Sequence, residues 1–271
     1  MIFIIGLGGH KMKIQRLGHA MFVLKSKEGK NYLIDPFFDL NPGFPPYLDT
    51  AEFYQSFDCI FLTHGHIDHT SGLTKVTEHK PEIMIVAQYE LALILLQQGI
   101  KNVLPINYGG SVNFDDVRIT MVQAKHTSSY GETQGTPVYA GESAGYIFDF
   151  KNDYTLYHSG DTALMTDMKL IQDVYQPEIA ILSSSGHFTM GPSEAAYAVN
   201  HLLDVKYVIP SHTFPSNETA ASPESLTQLV QAFPVVEYMI DKDKELKELL
   251  KGNPKTTVVT IGYGEEREFE K

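Results

Sequence analysis

Four potential metal ligands fall within six residues at Thr63-His64-Gly65-His66-Ile67-Asp68-His69. The apolar run Cys59-Ile60-Phe61-Leu62 leads into them, and Thr70-Ser71-Gly72 follows. An apolar run bounded by turn residues reads as a buried strand, and the histidine-rich cluster as the turn after it. A tight turn holds the donors together before any cation arrives, so little entropy remains to be lost on binding. His64 and His66 can reach one cation, and Asp68 and His69 a second beside it. Imidazole and carboxylate together suit zinc, and also manganese or iron. The alternative is a polar surface loop that is histidine-rich by chance. It fails to explain the partners that appear downstream.

Those partners are His126, Asp161 and His212, and each follows a predicted strand. Ligand sites collect at the C-terminal edge of packed sheets. His64, His66 and His126 make a three-imidazole site. Asp68, His69 and His212 make a second, and Asp161 can bridge the two. Each site keeps an open position for a shared water, whose pKa two cations lower to about 7. The expected cofactors are therefore two divalent metal ions, zinc first and manganese or iron after it. A bridging hydroxide would be the nucleophile, and Asp68 would orient it and shuttle its proton.

The rest of the chain alternates strands and helices. Strands are expected at Met21–Leu24, Tyr32–Ile34, Ile83–Val86, Val117–Gln123, Tyr146–Phe148, Tyr154–Tyr157, Ile179–Leu182, Tyr207–Ile209 and Thr256–Ile261. Helices are expected at about 69–77, 89–98, 163–175, 192–203, 223–233 and 242–251, with Ser222 and Asp241 as N-caps and Gly99 as a C-terminal stop. Residues 37–50 and 127–145 read as long irregular loops of the kind that carry function. Tyr130 and Tyr139 are candidates to line a pocket. Gly6, Gly8 and Gly9 imitate a dinucleotide fingerprint, but no helix or acidic partner supports one.

Composition narrows the function. The 271 residues carry a net charge of −12, which argues against gripping nucleic acid or anionic membrane by bulk electrostatics. The single cysteine, Cys59, permits no internal disulfide and fits a reducing compartment. Ile2–Leu7 lacks a basic flank and is short for a signal segment, and no stretch has the length of a membrane span. The expectation is a cytoplasmic protein with a small-molecule substrate, no nucleic-acid or membrane partner, and room for a homo-oligomer.

The motif T-H-G-H-I-D-H, the distal His126, the Gly160-Asp161-Thr162 segment and the late His212 resemble the metallo-β-lactamase superfamily. Within it the chain is most similar to small cytoplasmic metal-dependent hydrolases related to L-ascorbate-6-phosphate lactonase. Leu17-Gly18-His19, Ile34-Asp35-Pro36, residues 157–162 and Ser185-Gly186-His187-Phe188-Thr189-Met190-Gly191-Pro192 carry that likeness. The resemblance runs from about Met12 to the last strand. It makes residues 12–271 one hydrolase domain and 1–11 an N-terminal extension. It implies an α/β fold, an αββα sandwich of two mixed β-sheets packed face to face with helices on both outer faces, and a site at the top edge. It also implies that His187 orients substrate or stabilises an oxyanion. Asp35 reads as a carboxylate that orients the ligand loop, and His19 as either a supporting or a packing residue. The expected reaction is cleavage of a lactone, ester or phosphodiester of a small, anionic substrate. The alternatives are a non-catalytic metal- or ligand-binding module on the same fold, and a nuclease of the same superfamily.

Overall fold

The structure is a computed structural model that describes residues 11–131 and 135–271. The first half contributes β1 (Lys13–Gly18), β2 (Met21–Lys25), β3 (Asn31–Ile34), α1 (Ala51–Gln55), β4 (Cys59–Phe61), α2 (Ile67–Thr70), α3 (Leu73–His79), β5 (Met84–Gln88), α4 (Tyr89–Gln97) and β6 (Val103–Ile106). Next come β7 (Ser111–Asn113), β8 (Val117–Gln123) and a two-stranded ribbon of β9 (Ser129–Tyr130) and β10 (Val138–Tyr139). The second half contributes β11 (Ala144–Phe150), β12 (Thr155–His158), α5 (Asp167–Tyr175), β13 (Ile179–Ser183), α6 (Pro192–His201), β14 (Tyr207–Ser211), α7 (Pro223–Ala232), α8 (Lys242–Leu249), β15 (Thr257–Val258) and β16 (Glu266–Glu268).

Among the described residues the strands form two seven-stranded sheets, ordered β16-β1-β2-β3-β4-β5-β6 and β15-β14-β13-β12-β11-β8-β7. Both are mixed. β3 through β6 pair in parallel, as do β12 through β15, and the remaining pairs are antiparallel. Side chains alternate faces along a strand, and this alternation builds the layers. Phe22, Leu24, Ile34 and Phe61 meet Met121, Phe148, Leu156 and Ile181 between the sheets. The alternate residues Met21, Val23, Leu33 and Ile60 pack on Leu73, Val76, Leu91 and Leu95 of α3 and α4. On the other sheet Ile147, Tyr157, Ala180 and Leu182 pack on Met168, Ile171, Val199 and Leu246 of α5, α6 and α8. Each such side chain contributes about 1.5–3 kcal/mol through burial. The expected αββα sandwich is what the chain forms.

Several local expectations change. The helix expected at 69–77 is two short helices broken at Ser71 and Gly72. The Gly72 N–H donates to Pro36 O instead, and a Cβ there would collide with the Phe38 ring. Ser222 caps α7 by accepting from Ser225 N–H, as expected. Asp241 makes no such cap; its backbone is left-handed and its carboxylate pairs with Lys244. The last strand shrinks to Thr257–Val258, and β16 follows it unannounced. The Gly6–Gly9 stretch and all of the expected extension except Lys11 lie outside the described residues.

Candidate metal centre

The parallel strands end side by side, and the donors sit where they end. Asp35 follows β3, His64 follows β4, Asp161 follows β12, and His212 follows β14. His126 follows β8 on the other side of β11. Two glycines make the turns possible. Gly160 has φ +59°, and a Cβ on it would lie 2.2 Å from Ala144 O; a Cβ on Gly65 would lie 2.6 Å from Ser129 O. A side chain at either place would displace the donor beside it.

Ligand-capable atoms converge in three overlapping groups: His64, His66 and His126; His64, His69 and Asp161; and His19, Asp68, His69 and His212. All seven residues expected from sequence as ligands are in them, and His19 joins. Asp161 Oδ2 is central. It lies 2.8 Å from His212 Nε2, 3.5 Å from His69 Nε2 and 3.8 Å from His126 Nε2. Asp68 Oδ2 lies 2.9 Å from His19 Nε2, 3.5 Å from His69 Nε2 and 3.6 Å from His212 Nε2. His64 Nε2 and His66 Nδ1 are 2.9 Å apart.

A second set of contacts fixes the rings. Asp35 is fully buried; it accepts from Thr63 N–H at 2.8 Å, from the Thr63 hydroxyl at 2.7 Å and from His69 Nδ1 at 2.8 Å. It therefore aims His69 Nε2 into the cluster, as its sequence position suggested. Thr63 Oγ1 also holds His64 Nδ1 at 3.0 Å, and Ser185 Oγ holds His212 Nδ1 at 2.9 Å. Such outer partners set ring orientation and basicity in metal sites. Thr63 and Ser185 stand in stretches quoted from the sequence, but sequence reading gave neither a role. Their signal is position: each follows a buried strand and opens a stretch that holds a suspected histidine. His19, Asp35 and His212 have φ of 51°, 50° and 57°, which non-glycine residues seldom adopt. The His212 N–H donates to His19 O at 3.2 Å, tying two of these strained turns together across the sheets.

Electrostatics shows what the cluster lacks. Burial opposes charge on His69, but Asp161, Asp68 and Asp35 outweigh it and hold its pKa well above the usual value. The same balance, with Asp161 foremost among the carboxylates, lifts His212 to about 9. Burial works against Asp161 too, yet His212 and His69 hold it ionised. Burial pushes His64 well down, and burial with the neighbouring His212 lowers His19 to about 4. Asp161 Oδ1 and His69 Nε2 are buried with no hydrogen-bond partner among the described residues. A buried polar atom without a partner is costly, and divalent cations would remove that cost. The donor set fits them.

A cavity of 510 Å³ opens over His66, Asp68, His126, Asp161 and His212. Phe37, Asp39 and Leu40, from the start of the 37–50 loop, line it. His187 is exposed, lies outside the cavity lining and stacks beside Tyr238 with ring centroids 6.4 Å apart; its neighbour Phe188 lines the cavity instead. Tyr130 and Tyr139 are also absent from the lining; their hydroxyls reach Gln98 and Glu142. His158 accepts from Gly160 N–H and supports the turn before Asp161.

Residues 30–213 match the family described as "Beta-lactamase superfamily domain". A protein of Koribacter versatilis named a UPF0173 metal-dependent hydrolase is 39% identical over 230 residues, covering 83% of this chain and 94% of the relative. One of the same name from Methanobrevibacter smithii is 40% identical over 210 residues, covering 76% and 84%. Among solved structures, Igni18, described as a novel metallo hydrolase from the archaeon Ignicoccus hospitalis, superposes with a TM-score of 0.74 at 25% identity, covering 96% of this chain and 99% of that one. The chain belongs to the metallo-β-lactamase superfamily and, within it, to the UPF0173 group of metal-dependent hydrolases.

Proposed function

We propose that the chain is a binuclear hydrolase that cleaves a lactone, ester or phosphodiester in the cavity above the donors. One observation supports this most strongly. Asp161 presents one carboxylate oxygen to His69, His126 and His212 while its other oxygen stays buried and unpartnered. A carboxylate so placed could serve two cations at once. His64, His66 and His126 would hold one, and Asp68, His69 and His212 the other, with zinc the first choice and manganese or iron next. Bound there, the cations supply water made nucleophilic at neutral pH and polarise the scissile bond.

The residues of the chain do the rest. Hydrolysis adds water across the bond: its oxygen joins the carbonyl or phosphoryl centre, the bond to the leaving oxygen breaks, and that oxygen takes a proton. Asp68 is ionised, held so against burial by His69, His19 and His212. It can accept the proton of water and return it to the leaving oxygen. Asp35, Thr63 and Ser185 keep His69, His64 and His212 in register throughout. Ligation needs neutral imidazoles, so cations would compete with protons for His69 and His212, whose pKa values the neighbouring carboxylates raise.

The test is a screen of lactones, esters and phosphodiesters with zinc- or manganese-loaded protein and with chelated protein. Turnover that follows the metal supports the proposal. Metal-loaded protein inert towards all three classes would favour a binding module on this fold.

A further inference from the structure

Beyond the donors, the cavity is built from apolar side chains on separate elements. Phe37 follows β3, Phe214 follows β14, Leu229 lies in α7, and Val236 and Met239 lie in the 3-10 segment Pro234–Met239. These five pack together as a cluster of their own, apart from the sandwich layers. Around them Leu40, Phe188 and Phe233 stand 38%, 52% and 48% exposed, although all three line the cavity. Large apolar side chains left open beside a polar centre mark a surface that a ligand covers. Leu40 is also held at φ 61°, a backbone conformation that non-glycine residues seldom adopt.

Charge points the same way. Among the described residues no lysine or arginine lines the cavity. Its carboxylates are Asp68 and Asp161 of the donor cluster and Asp39, which is paired with Lys75 at 2.7 Å. A phosphorylated substrate would find no cationic side chain to receive a second anionic group. The volume of 510 Å³ lies within the range of about 300–1,000 Å³ that accepts drug-sized ligands, so there is room for much more than the scissile group.

We infer that the substrate is an uncharged ester or lactone whose apolar arm lies along the wall formed by Phe37, Phe214, Leu229, Val236 and Met239, with Leu40, Phe188 and Phe233 closing over it. This rests on the hydrolase reading above and departs from the anionic substrate expected from the sequence. The arm takes no part in bond making. Water adds to the carbonyl carbon, the acyl C–O bond breaks, and the products are a carboxylate, a proton and an alcohol.

The test uses the zinc-loaded full chain and two homologous series. In p-nitrophenyl esters from acetate to octanoate, kcat/KM should rise about fourfold per methylene until the wall is filled. In n-alkyl hydroxamates from acetyl to octanoyl, which anchor through the hydroxamate, Kd should tighten by a similar factor. Phe233→Ser and Phe188→Ser, both at exposed positions, should lower the ratio of octanoate to acetate kcat/KM. A phosphorylated sugar lactone should show no advantage over a neutral one. Hydroxamates that bind with one affinity at every length, or a preference for the phosphorylated lactone, would overturn the inference and leave the hydrolase reading standing. Neither binding nor hydrolysis at any length would overturn both.

Discussion

Asp161 and Asp35 are both buried aspartates beside histidines, yet they face different tasks. Asp35 has partners for both oxygens, in Thr63 and His69. Asp161 keeps one oxygen without a partner and offers the other to three imidazoles. Asp161→Ala should therefore abolish activity and strip metal from both sites, as read by elemental analysis and turnover. Asp35→Ala should retain the cations but weaken their binding roughly 10- to 100-fold, as is usual for an outer partner of a ligand. Equal metal affinity in the two variants would mean that the bridging role is misassigned. His187 gives a contrasting test. From its exposed place outside the cavity lining, His187→Ala should change kcat/KM by less than about threefold, within the scatter of surface substitutions. A loss of 10²-fold or more with both metals retained would make it an oxyanion-stabilising group after all.

At the scale of elements, the turn that presents His212 is held by a residue outside the cavity lining. Arg16 in β1 is 2% exposed. Its guanidinium donates to Thr213 Oγ1 at 2.8 Å and to Asp243 Oδ2 at 3.1 Å, and it lies over the Tyr263 ring at 4.4 Å. Arg16→Met leaves the buried Thr213 hydroxyl and the part-buried Asp243 without their donor, which costs about 1–3 kcal/mol. A fall in Tm, accompanied by weaker binding of the cation held by His212, would show that β1 supports the site. An unchanged Tm would mean that solvent satisfies Asp243 and Thr213. Most elements could be read from the sequence because burial imposes a period on them: the alternation in Val117–Gln123 and the apolar run Ile179–Leu182 each became the strand expected. Other elements left no such trace. β6 contains Pro105 and lies at a sheet edge, where proline is tolerated but disguises the strand. β16 is Glu-Arg-Glu, exposed along its length, and pairs with β1 at the opposite edge, where Lys25 and Lys13 meet Glu266. No hydrophobic pattern can announce a strand with no buried face. The donors were legible because histidine and aspartate at strand ends are conspicuous. The orientation of His187 was not, because a loop sequence does not say which of two neighbours, His187 or Phe188, turns inward.

At the scale of the whole molecule, two halves each place four parallel strands side by side, with the donor-bearing turns at one edge. The donors are divided between the halves: His64, His66, Asp68 and His69 follow the first sheet, and His126, Asp161 and His212 follow the second. On the proposed assignment neither sheet alone holds every donor, so the site would be completed only when the sandwich closes over the core that the sheets share. Binding energy for the cations is then energy of sheet packing as well. On the proposed reading this closure builds two sites and not one. Metal content of the full chain after saturation with zinc and removal of excess, by elemental analysis against protein concentration, tests this most directly. Two equivalents per chain are expected, falling together in Asp161→Ala. Saturation at one equivalent in the unaltered chain would contradict that reading, because Asp68, His69 and His212 would then form no competent second site.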